Sequence, residues 1–243
     1  MKSIQVTAHR GFSGLYPENT AIAFAEALNL EVDMIEFDVH LSKDEALIIC
    51  HDATVDRTSN GTGAIENMTL SEIKRLDAGS WMDYRFKETR FLTLEETLEQ
   101  IGGKARLNIH IKANDQDRET VTPLVVRQIE QYKIETQCFI ASDEATLRLV
   151  KEVGPDISIC NLSTQPKETY IERSLLIGCT LLQPGNAMVD ESFVQRAHGN
   201  HMEVNPFYAD DPEEMRRLIG CDVDGILTNY PDRLYTVLME MDK

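Results

Sequence analysis

A chain of 243 residues with 42% apolar and 27% charged residues can bury one large core, and it carries a formal charge of −17 at neutral pH. That acidic surplus, with no basic block or tail, excludes an electrostatic grip on nucleic acid or an anionic membrane. No apolar leader opens the chain and no apolar run reaches spanning length, so the expectation is a soluble cytoplasmic protein without membrane insertion. Cys50, Cys138, Cys160, Cys179 and Cys221 are scattered without CxxC spacing, which predicts reduced, packed thiols rather than a disulfide frame or a zinc site.

Residues 4–9 alternate apolar and polar side chains and are predicted as the first strand, closing on Ala8-His9-Arg10-Gly11. Asn19 is placed to cap a helix over 20–30. The second strand, 34–40, carries Glu36 and Asp38 two apart, so both carboxylates leave one face, with His40 behind them. Side by side they repel unless they share a cation, and a hard divalent metal is the usual resolution. Between 41 and 94 the chain is far longer than one crossover needs. Residues 47–50 are predicted to pair back on the second strand as a hairpin. Residues 57–63 read as a polar glycine-containing loop and 70–76 as a short helix. We read 42–92 as a lobe inserted over one mouth of a single domain spanning 1–243, with Trp81 packing inside it.

A helix over 94–101 leads to the third strand, 106–111, along whose end Asn108, His110 and Lys112 share a face. Strand and helix then alternate strictly. Helices are predicted over 118–132, 144–153 (capped by Asp143), 167–176, 191–197 and 212–219 (Pro212 in its first turn), with another after Pro231. The strands between them are 137–141, 157–161, 180–183, 202–205 and 225–228. Eight strands alternating with helices predict an α/β fold with a parallel sheet closed into a barrel. Functional groups in such barrels gather at the C-terminal ends of strands. His9, His40, His51 and His110, four of the six histidines, fall at or just beyond such ends. Acids for a cation, imidazoles for proton transfer, and Arg10 and Lys112 for an anion suit chemistry on a phosphate ester.

The residues resemble the glycerophosphodiester phosphodiesterase family. The likeness runs through His9-Arg10-Gly11, Pro17-Glu18-Asn19-Thr20, Glu36-Phe37-Asp38, Lys43-Asp44, His51-Asp52 and Arg57-Thr58-Ser59-Asn60-Gly61-Thr62-Gly63. It continues through Asp77-Ala78-Gly79-Ser80-Trp81 and Leu92-Thr93-Leu94-Glu95-Glu96, and returns at Asp224-Gly225-Ile226-Leu227-Thr228-Asn229-Tyr230-Pro231-Asp232. The resemblance implies a TIM-type (β/α)8 barrel with a small insertion after its second strand. It implies metal-dependent hydrolysis of a glycerophosphodiester to glycerol 3-phosphate and an alcohol. His9 and His51 match the family's general acid and base, and Glu36 and Asp38 its ligands for Mg²⁺ or Ca²⁺. Arg10 and Lys112 match its phosphate-binding positions. The family mechanism uses the glycerol 2-hydroxyl as first nucleophile, giving a cyclic phosphate that water opens.

The sequence departs from the pattern where the family places a third metal-binding Glu, two residues before the Lys: here stands His110. Imidazole suits Zn²⁺, Mn²⁺ or another transition metal better than Mg²⁺ or Ca²⁺. His110 therefore either ligates and shifts metal choice or affinity, or hydrogen-bonds a neighbour and leaves the cation to two carboxylates and water. The family's late Trp is Phe207, which keeps an aromatic wall against the substrate, and its Ser-Phe pair is Ser142-Asp143. Two alternatives stay open from the sequence: a phosphate-ligand binding or regulatory protein with reduced turnover, and a phosphodiesterase for lysophospholipid-type substrates.

Overall fold

The computed structural model describes residues 4–162 and 166–242. In chain order the elements begin β1 (Gln5–His9), α1 (Ala21–Asn29), β2 (Met34–Leu41), β3 (Leu47–Ile49), α2 (Leu70–Ile73), α3 (Leu94–Ile101) and β4 (Arg106–Ile111). They continue α4 (Arg118–Tyr132), β5 (Cys138–Ser142), α5 (Glu144–Val153), β6 (Ser158–Asn161), α6 (Lys167–Leu176) and β7 (Leu181–Leu182). The last are α7 (Glu191–Gly199), β8 (Glu203–Val204), α8 (Pro212–Gly220), β9 (Gly225–Thr228) and α9 (Pro231–Met241). The sheet order is β8-β7-β6-β5-β4-β2-β1-β9, every neighbour along it parallel. Backbone hydrogen bonds then join its edges: Asp224 N–H donates to Val204 O at 2.9 Å and Leu227 N–H to Pro206 O at 3.1 Å. Eight parallel strands thus form a nearly closed barrel, as the strand count predicts.

Strand alternation sorts the core into two layers. In β2, Ile35, Phe37 and Val39 face outward and pack with Phe24 of α1 and Leu94 and Leu98 of α3 in the large cluster between strands and helices. Met34, Glu36 and Asp38 face inward. Inside the barrel a small plug of Met34, Phe139, Ala141, Cys160 and Leu181 fills the lower part. Burying one such large apolar side chain stabilises the fold by roughly 1.5–3 kcal/mol. The inward positions at the top of the strands are left to polar groups.

Local chemistry sets the ends. Asp143 caps α5 through Ala145 N–H and Thr146 N–H, and Pro212 opens α8, both as predicted. Asn19 does not cap α1: Thr20 does, accepting from Ala23 N–H. Asn19 instead takes a left-handed backbone, φ 57°, and turns into the barrel. The described cysteines are all free thiols, four of them buried.

β3 pairs antiparallel with β2, Val39 against Ile49 and Leu41 against Leu47. The rest of segment 42–92 packs a separate apolar cluster of Ile48, Cys50, Val55, Ile65, Ile73, Ala78 and Phe91. Its loops are tied by Asp77, whose carboxylate accepts from Gly79 N–H (2.9 Å), Ser80 N–H (2.8 Å), Ser80 Oγ–H (2.9 Å) and Glu88 N–H (2.6 Å). Burial pushes this carboxyl up, and those donors outweigh it and hold Asp77 well below the usual range.

Candidate active site

Strand register assembles the site. His9 pairs across to Glu36, Glu36 to Asn108, and Asp38 to His110, so these side chains enter the barrel mouth side by side. They line a cavity of about 520 Å³ together with Arg10, His51, Lys112, Ser142, Gln183, Phe207 and Tyr208.

Glu36 and Asp38 are 3% and 1% exposed. With His110 they offer one ligand atom each, all within 4.8 Å of one another. Glu36 Oε2 accepts Arg10 N–H at 2.9 Å, and Asp38 Oδ2 accepts Asn19 Nδ2–H at 3.0 Å. Asp38 Oδ1 lies 3.2 Å from His110 Nδ1 and 3.1 Å from Lys112 Nζ. Yet that buried oxygen takes no well-directed hydrogen bond from any described residue. Burial, then the Asp38 charge, pushes the Glu36 carboxyl up. Burial opposes ionisation of Asp38 too, but His110, Lys112 and Arg10 together hold it well below the usual carboxylate range. Burial also lowers His110, which keeps its imidazole neutral. A lone-pair nitrogen beside two crowded carboxylates, one with an oxygen left over, fits a divalent cation.

The two histidines at the rim have fixed tautomers. Asp210 can only accept, and it takes Asn229 Nδ2–H at 2.7 Å and Asn229 N–H at 2.8 Å. Asn229 Oδ1 therefore faces His9 Nδ1 at 2.8 Å, so Nδ1 carries the hydrogen and the neutral ring keeps a bare Nε2. That Nε2 lies 3.8 Å from Glu36 Oε2. Burial, aided by the Arg10 charge, pushes His9 down to about 4, so the ring is neutral at pH 7. Tyr208 stacks on it, centroids 5.1 Å apart. His51 gives its Nδ1–H to Asp52 Oδ1 at 2.7 Å. Arg57 grips that same Asp52 through Nε at 2.7 Å and Nη2 at 3.1 Å, and reaches Glu18 through both Nη atoms. Glu18 in turn accepts Arg10 Nη1–H at 2.8 Å. One charged chain thus joins the loop after β1 to the loop after β3. Arg10 Nε is buried without a hydrogen-bond partner among the described residues and lies 3.6 Å from Asp38 Oδ2.

A model of the glycerophosphoryl diester phosphodiesterase family matches residues 9–233. The glycerophosphodiester phosphodiesterase of Caldanaerobacter subterraneus subsp. tengcongensis is 37% identical over 240 residues, 98% of each chain. That of Bacillus altitudinis is 33% identical over 247 residues, 98% of this chain and 99% of the relative. The chain belongs to the glycerophosphoryl diester phosphodiesterase family. It is a phosphoric diester hydrolase acting on glycerophosphodiesters. A solved phosphodiesterase from Oleispira antarctica, in complex with the product sn-glycerol-3-phosphate, superposes with a TM-score of 0.91 at 28% identity, over 97% of this chain and 96% of that one.

In this phosphodiesterase barrel the residues singled out from sequence meet in one cavity: His9, Arg10, Glu36, Asp38, His51, His110, Lys112 and Phe207. His40 does not join them; its ring donates through Nε2 to His51 O at 3.1 Å and so anchors the His51 segment. Trp81 does not simply pack the inserted segment. It is tied to Ala78 O through Nε1 and lines a second cavity of about 400 Å³ beyond the His9–Tyr208 stack. Sequence reading missed Asn229, which orients His9 from 220 residues away. It also missed Glu18, Arg57, Tyr208, Asn108 and Gln183 as site residues. Several stand in the family motifs, but only register across the barrel reveals their partners. Among the described residues no helix is long and apolar enough to cross a membrane.

Proposed function

We propose that this hydrolase cleaves deacylated phospholipid head-group esters with a divalent cation held by Glu36, Asp38 and His110. The observation that carries the reading is the convergence of those donor atoms within 4.8 Å, in the cavity that His9, His51, Arg10 and Lys112 also line. The bound cation would polarise phosphoryl oxygens and acidify a hydroxyl beside them. Because His110 supplies nitrogen where the family pattern has Glu, the site favours a transition metal such as Mn²⁺ over Ca²⁺.

The chain's own groups divide the remaining work. Arg10 offers its guanidinium and Lys112 its ammonium to the phosphate, one as a fork and the other as a point charge. Neutral His9, with Nε2 bare, takes the proton from the glycerol 2-hydroxyl. That oxygen bonds to phosphorus as the bond to the leaving alcohol breaks. His51, held by Asp52 at Nδ1, acts through Nε2 and gives a proton to the leaving oxygen. Water then opens the cyclic phosphate with roles reversed: His51 takes its proton and His9 returns one to the 2-oxygen. Both histidines end as they began, and one water is consumed. The product bound by the Oleispira antarctica relative supports sn-glycerol 3-phosphate as the product here.

The test is a grid of metals against glycerophosphocholine and glycerophosphoethanolamine on chelator-stripped protein. Turnover should vanish without metal, return best with Mn²⁺, and shift toward Mg²⁺ or Ca²⁺ in His110→Glu. Full turnover in excess chelator would refute the metal role, and full activity with Mg²⁺ unimproved by Mn²⁺ would refute the role of His110.

A further inference from the structure

The two rim histidines are held in different ways. His9 closes β1, and its ring is set by Asn229, itself fixed by two hydrogen bonds to Asp210. His51 stands on no strand: β3 ends at Ile49, and His51 belongs to the loop beyond it. His40 Nε2 secures the His51 carbonyl at 3.1 Å, but the ring is held through Asp52. Among the described residues, only Arg57 and His51 itself donate to that Asp52 carboxylate. The aim of His51 therefore depends on Arg57.

Arg57 meets two carboxylates with one planar group. Its Nε and Nη2 reach Asp52 at 2.7 and 3.1 Å, and its Nη1 and Nη2 reach Glu18 at 2.7 and 2.8 Å. An exposed ion pair contributes little on its own, and the Arg57 side chain is 44% exposed. Both of these contacts are forked, however, a geometry that fixes orientation as well as charge. Each partner also grips a residue of the site. Glu18 Oε1 accepts Arg10 Nη1–H at 2.8 Å, and Asp52 Oδ1 accepts His51 Nδ1–H at 2.7 Å. Arg57 itself lines neither cavity, so whatever it does for the reaction it does through those two neighbours.

We infer that Arg57 is a positioning residue for the hydrolysis: forked onto Asp52 and Glu18, it sets the ring of His51 and the guanidinium of Arg10 in one fixed relation across the barrel mouth. This rests on the reading above, in which His51 protonates the leaving oxygen and Arg10 binds the phosphate. A lysine cannot take its place, because a single ammonium presents no fork to either carboxylate.

The test compares two glycerophosphodiesters in single turnovers with Mn²⁺ present. Glycerophosphocholine loses an alkoxide that needs a proton. The p-nitrophenyl ester of glycerol 3-phosphate loses a phenolate that does not. At saturation Arg57→Ala should slow choline release by ~10-fold or more, as expected of a misplaced acid, with p-nitrophenol release nearly unchanged. Half-saturation should rise on both substrates alike, through Arg10. His51→Ala should show the same split at saturation, and larger. Adding Arg57→Ala to His51→Ala should slow choline release no further, since both act through one ring. Arg57→Lys should behave as Arg57→Ala. Release of p-nitrophenol by the same samples checks that each variant is folded, and the lysine variant carries the comparison if the alanine variant does not fold. Equal slowing on both substrates at saturation would overturn the inference, as the signature of a structural role. So would a full further loss in the double variant, or wild-type rates in Arg57→Lys. If His51→Ala itself slows both substrates equally, the assignment of His51 as the acid falls, and the double variant alone decides for or against Arg57.

Discussion

Asp77 and Asp38 are both buried carboxylates, and the barrel treats them in opposite ways. Asp77 collects three backbone N–H groups and a hydroxyl, so its charge is fully met by the fold. Asp38 sits against Glu36, under two cationic side chains, with one oxygen lacking a directed hydrogen bond. A fold that wanted only stability would not stack two acids in its core, since removing charge from water is costly unless it is satisfied. The contrast separates a carboxylate that serves the chain from one that waits for something else. It also says where substitutions should hurt activity and where they should hurt stability.

The sharpest break comes from Glu36→Gln against Asp77→Ala. Losing a cation ligand should lower turnover on the order of 10³-fold, with the thermal midpoint of metal-free protein unchanged or raised, since a buried carboxyl has been neutralised. Asp77→Ala should do the opposite. It strands several donors and costs about 2–3 kcal/mol, a fall of roughly 4–12 °C in a chain of this size, while activity per folded molecule persists. If Asp77→Ala kept its midpoint and lost turnover, the two sites would have been misjudged.

Next in size are the rim histidines. His9→Ala and His51→Ala should each lower turnover by ~10²-fold or more with circular dichroism and melting near wild type. Near-normal rates in either variant would remove that ring from the mechanism.

The smallest effect is a slope. In metal-free protein, burial and Asp38 raise Glu36 from the ordinary 4.5 to about 8. Across that window the folded state holds a proton that the unfolded chain has released, so stability falls as pH rises. His9, lowered from 6.5 to about 4, works with the opposite sign but only below 6.5, where the unfolded chain takes up a proton that the folded ring refuses. Between pH 6.5 and 8, denaturant titrations should show stability dropping in the wild type, flat in Glu36→Gln, and flat in the wild type once divalent metal is added. A wild-type slope that survives the Glu36→Gln change would assign the titration elsewhere.

Much of this was legible in the sequence because parity along a strand is a local property. Glu36 and Asp38 had to share a face, His110 had to share one with Lys112, and strict alternation of eight strands with helices left few architectures. What escaped depends on register and on long closure. Asn229 meets His9 only because β9 pairs with β1 and the barrel shuts. Asn19 looked like a helix cap because the residue type favours caps, yet Thr20 took that role and freed Asn19 for Asp38. Phe207 was the aromatic the sequence offered, but Tyr208 is the ring that stacks on His9. The short strands β7 and β8 are trimmed relative to the residues 180–183 and 202–205 expected, since their flanking residues leave the ladder to line the mouth or close the seam.

Glu36, Asp38 and His110 are the proposed ligands of one divalent ion. Calorimetric titration of chelator-stripped protein with Mn²⁺ addresses it directly. The expected result is one equivalent bound by the wild type, none measurable in Glu36→Gln, and undiminished binding in Asp77→Asn. Stoichiometric binding that survives unchanged in Glu36→Gln, or no binding by the wild type, would remove the metal from this group of side chains.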